Sequence, residues 1–150
     1  MPATIFKGVA AVHHDALCPI LSSAAQTILP PLNDSTNTNA PGGIAIITYN
    51  GGAGAYALKP AVAGGPVPSA SSASQGASAL GGDDGKTLTI LSTTAQAHVV
   101  TCGSAGAGNI NAGKNTITFA AVGNFVKLEA YNGVWWVVGQ SLTGITLGGS

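Results

Sequence analysis

The sequence predicts an all-β fold, a small β-sandwich or barrel of jelly-roll-like character preceded by an extended N-terminal arm. Three observations carry that prediction. From about residue 86 onward, short β-branched runs alternate with turn residues, the rhythm of an all-β domain. Tyr131-Asn132-Gly133-Val134 places Asn-Gly between two apolar runs, and Asn-Gly supplies the positive φ angles of a two-residue type I′ hairpin turn. The length of 150 residues fits one core plus an appendage.

Residues 1–40 read as the arm, apolar and Ala-rich until Pro30-Pro31 and the polar run 33–39. Residues 22–29 have the length of two helical turns with Ser22 or Ser23 as cap, but so short a helix is marginal in water. An arm that orders on a partner fits better. A bilayer span needs about 20 mostly apolar residues, and Lys7, His13, His14, Asp15 and Pro19 interrupt this stretch. The same interruptions argue against a secretory signal.

Residues 41–150 read as the β domain. Its first strands are 44–49 and 55–59, and Asn50-Gly51-Gly52-Ala53-Gly54 between them has hairpin character. A loop rich in Gly, Pro, Ser and Ala follows near 64–82. Further strands are expected at 87–91, 97–101, 115–119, 125–131, 134–138 and 141–147, with no heptads and no repeats.

The Asn-Gly turn sets a register. It pairs Tyr131 with Val134, Ala130 with Trp135, Glu129 with Trp136, Leu128 with Val137 and Lys127 with Val138. Val126, Leu128, Ala130, Trp135 and Val137 then form an apolar core face. The opposite face mixes Lys127 and Glu129 with Tyr131, Val134, Trp136 and Val138, which is too apolar for an ordinary solvent face. Either another subunit or preceding segments of the same chain would cover it. Tyr131, Val134, Trp136 and Val138 are therefore interface candidates, joined by Ile5 in the arm, while position 7, a Lys, is left unassigned.

Charge narrows the function classes. Five Lys, no Arg and five acidic residues give a net charge of zero, and only 7% of residues are charged, against roughly 25% in ordinary domains. Nucleic-acid binding lacks an electrostatic footprint, and a basic membrane-surface helix fails likewise. A surface so poor in charge is easier to understand if other subunits bury much of it.

Chemistry-bearing motifs are weak. Gly81-Gly82-Asp83-Asp84-Gly85-Lys86-Thr87 is one residue short of a phosphate loop and opens a strand instead of a helix, so a turn explains it. The glycines of 103–108 lack a following crossover helix. His13-His14-Asp15 are adjacent, which suits one metal ion poorly, and His98 lies far away inside a strand. Asp83 and Asp84 read as solvated turn formers. No Gly-x-Ser-x-Gly elbow occurs. No catalytic residue, metal or cofactor is expected. Cys18 and Cys102 read as free thiols if the chain is made in a cytosol.

The segments Gly82-Asp83-Asp84-Gly85-Lys86-Thr87-Leu88-Thr89-Ile90, Thr94-Ala95-Gln96-Ala97-His98-Val99-Val100-Thr101, Gly113-Lys114-Asn115-Thr116-Ile117-Thr118-Phe119 and the run 128–139 resemble a β-module of tailed-bacteriophage virion proteins. Head decoration (cement) proteins and head or tail fibres carry such modules. The resemblance covers roughly the C-terminal half. It implies a small sandwich or barrel, often trimeric, without catalysis. The expectation is a homotrimeric capsid decoration protein, made in the bacterial host cytoplasm, that binds the major capsid protein on the virion surface and stabilises the head. A phage tail or head fibre with receptor-binding function is the alternative. A carbohydrate-binding module stacking sugars on Tyr131 and Trp136 is a third reading, since the register turns Trp135 into the core.

Overall fold

The computed structural model describes residues 20–28, 43–64, 82–104 and 106–149. Ten strands occur there: β1 (Ile20–Leu21), β2 (Thr27–Ile28), β3 (Ile44–Ile47), β4 (Ala55–Leu58), β5 (Thr87–Ser92), β6 (His98–Cys102), β7 (Thr116–Phe119), β8 (Phe125–Tyr131), β9 (Val134–Gln140) and β10 (Ile145–Gly148). They form two packed five-stranded sheets, ordered β1-β3-β5-β8-β9 and β10-β7-β6-β4-β2. The all-β class and the sandwich are as expected, and neither sheet closes into a barrel.

Alternation explains the layering. In β5, Leu88, Ile90 and Ser92 point inward and Thr87 outward; in β8, Val126, Leu128 and Ala130 are buried between exposed neighbours. Both strands send every second side chain into one shared core, as period-two geometry requires. That core gathers Leu21, Ile47, Leu58, Ile90, Phe119 and Trp135 from both sheets.

The topology differs from a jelly roll's antiparallel sheets. β1 runs parallel to β3 and β3 to β5 in the first sheet, while β2 is parallel to β4 and β4 to β6 in the second. Each of the pairs β1/β2, β3/β4 and β5/β6 is thus an arch with one leg in each sheet, and the three arches stack in register. Leu21, Ile47 and Ser92 share one column, and Ile28, Leu58 and Cys102 another.

Two expectations change here. Residues 50–54 do not close a hairpin, because β3 and β4 bond to β5 and β6 and not to each other. The Gly-rich turn instead carries the chain across the sandwich, with Gly52 at φ 143° and the Gly54 carbonyl accepting from the Val99 N–H. Residues 20–28, assigned by sequence to the arm, are the outermost arch: Leu21 and Ile28 are buried in the common core. The two short strands are held because their backbone groups meet the chain at β3 and β4, as when the Leu21 carbonyl accepts from the Thr48 N–H at 2.9 Å just past β3. Residues 1–19 and most of the loop near 64–82 lie outside the described residues.

Antiparallel strands complete each sheet. β8 pairs with β5 and with β9, and β7 with β6 and with β10. Asn132 and Gly133 have φ 50° and 77°, the left-handed pair of a type I′ turn. The register is as expected from Tyr131–Val134 through Leu128–Val137, but Lys127 faces Gly139 and not Val138. A β-bulge beside Leu128 leaves Val138 as the extra residue of β9. The free edge of β9 is guarded locally, since the Asn109 carbonyl accepts from the Trp135 N–H and the Asn111 side chain from the Val137 N–H.

Candidate functional site

The two outer faces of the sandwich differ chemically. Outward positions of the second sheet are mostly small or hydroxylated, such as Thr27, Ala57, Thr101 and Thr116, which form one row across β2, β4, β6 and β7, with Val99 the larger exception. Outward positions of the first sheet mix large apolar side chains with Thr87, Thr89, Lys127 and Glu129. Ile20, Ile46, Leu91 and Phe125 form a row across β1, β3, β5 and β8. On the same face Tyr131 is 65% exposed, Val138 52%, and Trp136 and Phe125 39% each.

This face contains all the described interface candidates: Tyr131, Val134, Trp136 and Val138. Ile5 lies outside the described residues. The covering segment that the sequence allowed within the chain is not found among the described residues, where the face stays open. Lys127 and Glu129, both on β8, are the only charged residues in any of the ten strands. Sequence reasoning missed Ile20, Ile44, Ile46, Leu91 and Phe125. Their signal was present in the alternation of β3 and β5, but placing those strands beside β8 required the parallel pairing.

The motifs weighed for chemistry are structural. Residues 83–86 make the turn that enters β5: the Lys86 N–H donates to the Asp83 carbonyl, and Gly85 takes φ 84°. The Lys86 ammonium contacts Asp83 Oδ1 at 2.6 Å, both side chains nearly buried, so it is occupied internally. Asp84 is no mere solvated turn former, because its Oδ1 accepts from the Asn132 N–H and ties this turn to the β8–β9 hairpin. Among the described residues, no three His, Cys, Asp or Glu side chains cluster as metal ligands; His13, His14 and Asp15 lie outside them. Cys102 is a buried free thiol whose pKa burial raises to about 12, which leaves it a poor nucleophile. Among the described residues no helix is long and apolar enough to cross a membrane.

His98 is fully buried at the start of β6. Its Nδ1 accepts from the Gly54 N–H at 3.0 Å, which places the proton of the neutral ring on Nε2. Nε2–H therefore donates to Thr94 Oγ1 at 2.7 Å, and that hydroxyl donates to the Tyr49 carbonyl at 3.1 Å. The chain of bonds joins the turns of the second and third arches. Burial lowers the His98 pKa below the usual histidine value. Protonation would remove the acceptor that Gly54 needs. Because the neutral form is favoured only when folded, the unfolded state binds more protons below pH ~6.5, and stability falls as pH drops through that value, by at most about 1.4 kcal/mol per unit. Urea unfolding from pH 7 to 5.5 is expected to show this slope, and His98→Asn to flatten it; equal slopes would remove His98 as the cause.

No protein-family model matches this chain, and no curated protein matches it.

Proposed function

We propose that this chain is a structural virion protein of a tailed bacteriophage, a capsid decoration protein that docks on the major capsid protein shell and stabilises the head. One observation carries the reading furthest: among the described residues the outer face of the first sheet is open and rich in large apolar side chains, with Lys127 and Glu129 its only charges. Clustered exposed apolar side chains of this kind support a contact surface. The resemblance of the C-terminal half to phage virion modules supplies the kind of partner. Binding, and not catalysis, is the role; self-association through the same module and a location on the capsid surface belong to this reading.

Undecorated phage heads incubated with the protein are expected to take it up saturably, with a fixed number of copies per head. Trp136→Ala is expected to weaken that uptake roughly thirtyfold, as truncating an aromatic anchor does. Absence of saturable uptake overturns the reading, and binding to bacterial cells in its place moves the chain to the fibre class. Removal of residues 1–19 leaves all ten strands intact and isolates the contribution of the arm; deleting 1–40 would also remove β1 and β2.

A carbohydrate-binding module is the second reading, favoured by the open aromatic rings of Tyr131 and Trp136 near one end of the same face. Glycan binding that disappears in Trp136→Ala would select it.

A further inference from the structure

We infer that the outer face of the first sheet is a two-fold contact between two copies of this chain, in which β8 of one copy lies antiparallel across β8 of the other, centred on Leu128. The inference rests on reading this face as a protein-contact surface and gives it a second copy as occupant, so that the dimer would meet the shell with its other surfaces and Trp136→Ala would act on uptake through dimerisation.

The argument is the order of side chains along one strand. The outward residues of β8 are Phe125, Lys127, Glu129 and Tyr131: aromatic, cation, anion, aromatic. Facing sheets pack about 10 Å apart with strands near alignment. A two-fold axis between such faces, crossing the strands at the level of Leu128, sends each residue to the position equally far on the other side of Leu128. Lys127 then meets Glu129 of the second copy, and Glu129 meets Lys127. Phe125 meets Tyr131, again twice. The pattern is its own complement, which is what an isologous contact requires.

The neighbouring strand agrees. Trp136 pairs with Glu129 and Gly139 with Lys127, so the same axis sets the Trp136 ring over Gly139 of the second copy. A Cβ placed on Gly139 would have only the Lys127 Cβ nearby, at 3.7 Å, so the floor there is low and open enough for a ring. Neither Lys127 nor Glu129 forms an ion pair among the described residues, where the one such pair is Lys86–Asp83. The only two strand-borne charges are thus opposite in sign, adjacent on one face, unpaired within the described chain and related by the axis that matches the aromatics. A shell protein or a glycan gives no reason for this symmetry. The contact makes a dimer, and the trimer suggested by the resemblance would need a different surface.

Charge reversal tests the geometry. Sedimentation equilibrium at micromolar concentration is expected to show a dimer for the unaltered chain. Lys127→Glu and Glu129→Lys, each alone, oppose like charges twice across the axis and are expected to weaken the dimer at least about tenfold. The double variant Lys127→Glu/Glu129→Lys restores opposite charges and is expected to recover the dimer. Thermal melts are expected to show that all three variants fold, since both positions are exposed. A monomeric or trimeric unaltered chain, or a double variant that associates no better than the single ones, overturns the inference. Head binding separates it from the capsid reading: a dimer that ignores heads removes the capsid role alone, and a monomer that decorates heads removes the dimer alone.

Discussion

Trp135→Ala is expected to destabilise the domain by about 3–5 kcal/mol, enough to leave much of the chain unfolded at ordinary temperature. Trp135 is fully buried and is the largest such side chain in the described core. An indole of this kind removes roughly 150–250 Å² from water, and neighbouring side chains cannot collapse into so large a void. Its polar end is also engaged, since Nε1–H donates to the Lys59 carbonyl at 3.1 Å and so fastens the chain just beyond β4 to the first sheet. Loss of the ring leaves that carbonyl without its donor. Trp135→Phe is expected to recover part of the loss, because it restores apolar volume but not the hydrogen bond. Urea midpoints at constant m-value provide the measurement, and a Trp135→Ala loss under about 1 kcal/mol would show that the core does not depend on this residue.

Asp83→Ala is expected to cost about 3–5 kcal/mol, as removal of one member of a buried ion pair does. Asp83 serves two donors: Oδ1 faces the Lys86 ammonium at 2.6 Å, and Oδ2 accepts from the Val62 N–H at 2.8 Å. Truncation strands a nearly buried positive charge and a backbone donor together. Asp83→Asn/Lys86→Met leaves no unpaired charge while an amide oxygen still serves Val62, so the double variant is expected to be more stable than Asp83→Ala. The reverse order in urea unfolding would mean that the cost comes from the turn backbone and not from the stranded ammonium.

The C-terminal half was legible because its information is local. Asn132-Gly133 fixes the hairpin, and alternation along β8 and β9 sorts Trp135 to the core and Trp136 to the outside. The register was lost only at Val138, where a bulge spends one extra residue without a Pro or a local Gly pair to announce it.

The N-terminal half was less legible because its information is distant. Ile20-Leu21 and Thr27-Ile28 are too short to read as strands, and they become strands only by lying on β3 and β4. The stack of arches is a structural repeat that the sequence, expected to hold no repeats, does show once: residues 20–26 (ILSSAAQ) and 90–96 (ILSTTAQ) share five of seven residues, whereas the second arch has no such match and one column holds Leu21, Ile47 and Ser92. That match is offset by one position from the structural alignment, because Leu21 shares its column with Ser92 and not with Leu91. The candidate face was half visible for the same reason: its β8–β9 part follows from the hairpin, whereas Ile20, Ile44, Ile46 and Leu91 join it through parallel ladders.

The stacked arches also impose a direction in time. β1 finds its described pairing edge on β3, and β3 on β5, whose other edge is held by β8. Each earlier tier is therefore templated by one made later. A ribosome delivers the first arch before β3 and β4 exist, so the apolar residues Ile20, Leu21 and Ile28 stay unpaired at least until residues 44–58 have been synthesised. The long-range pairing of these tiers predicts slow folding. That interval is when the nascent chain is most open to mispairing with its neighbours.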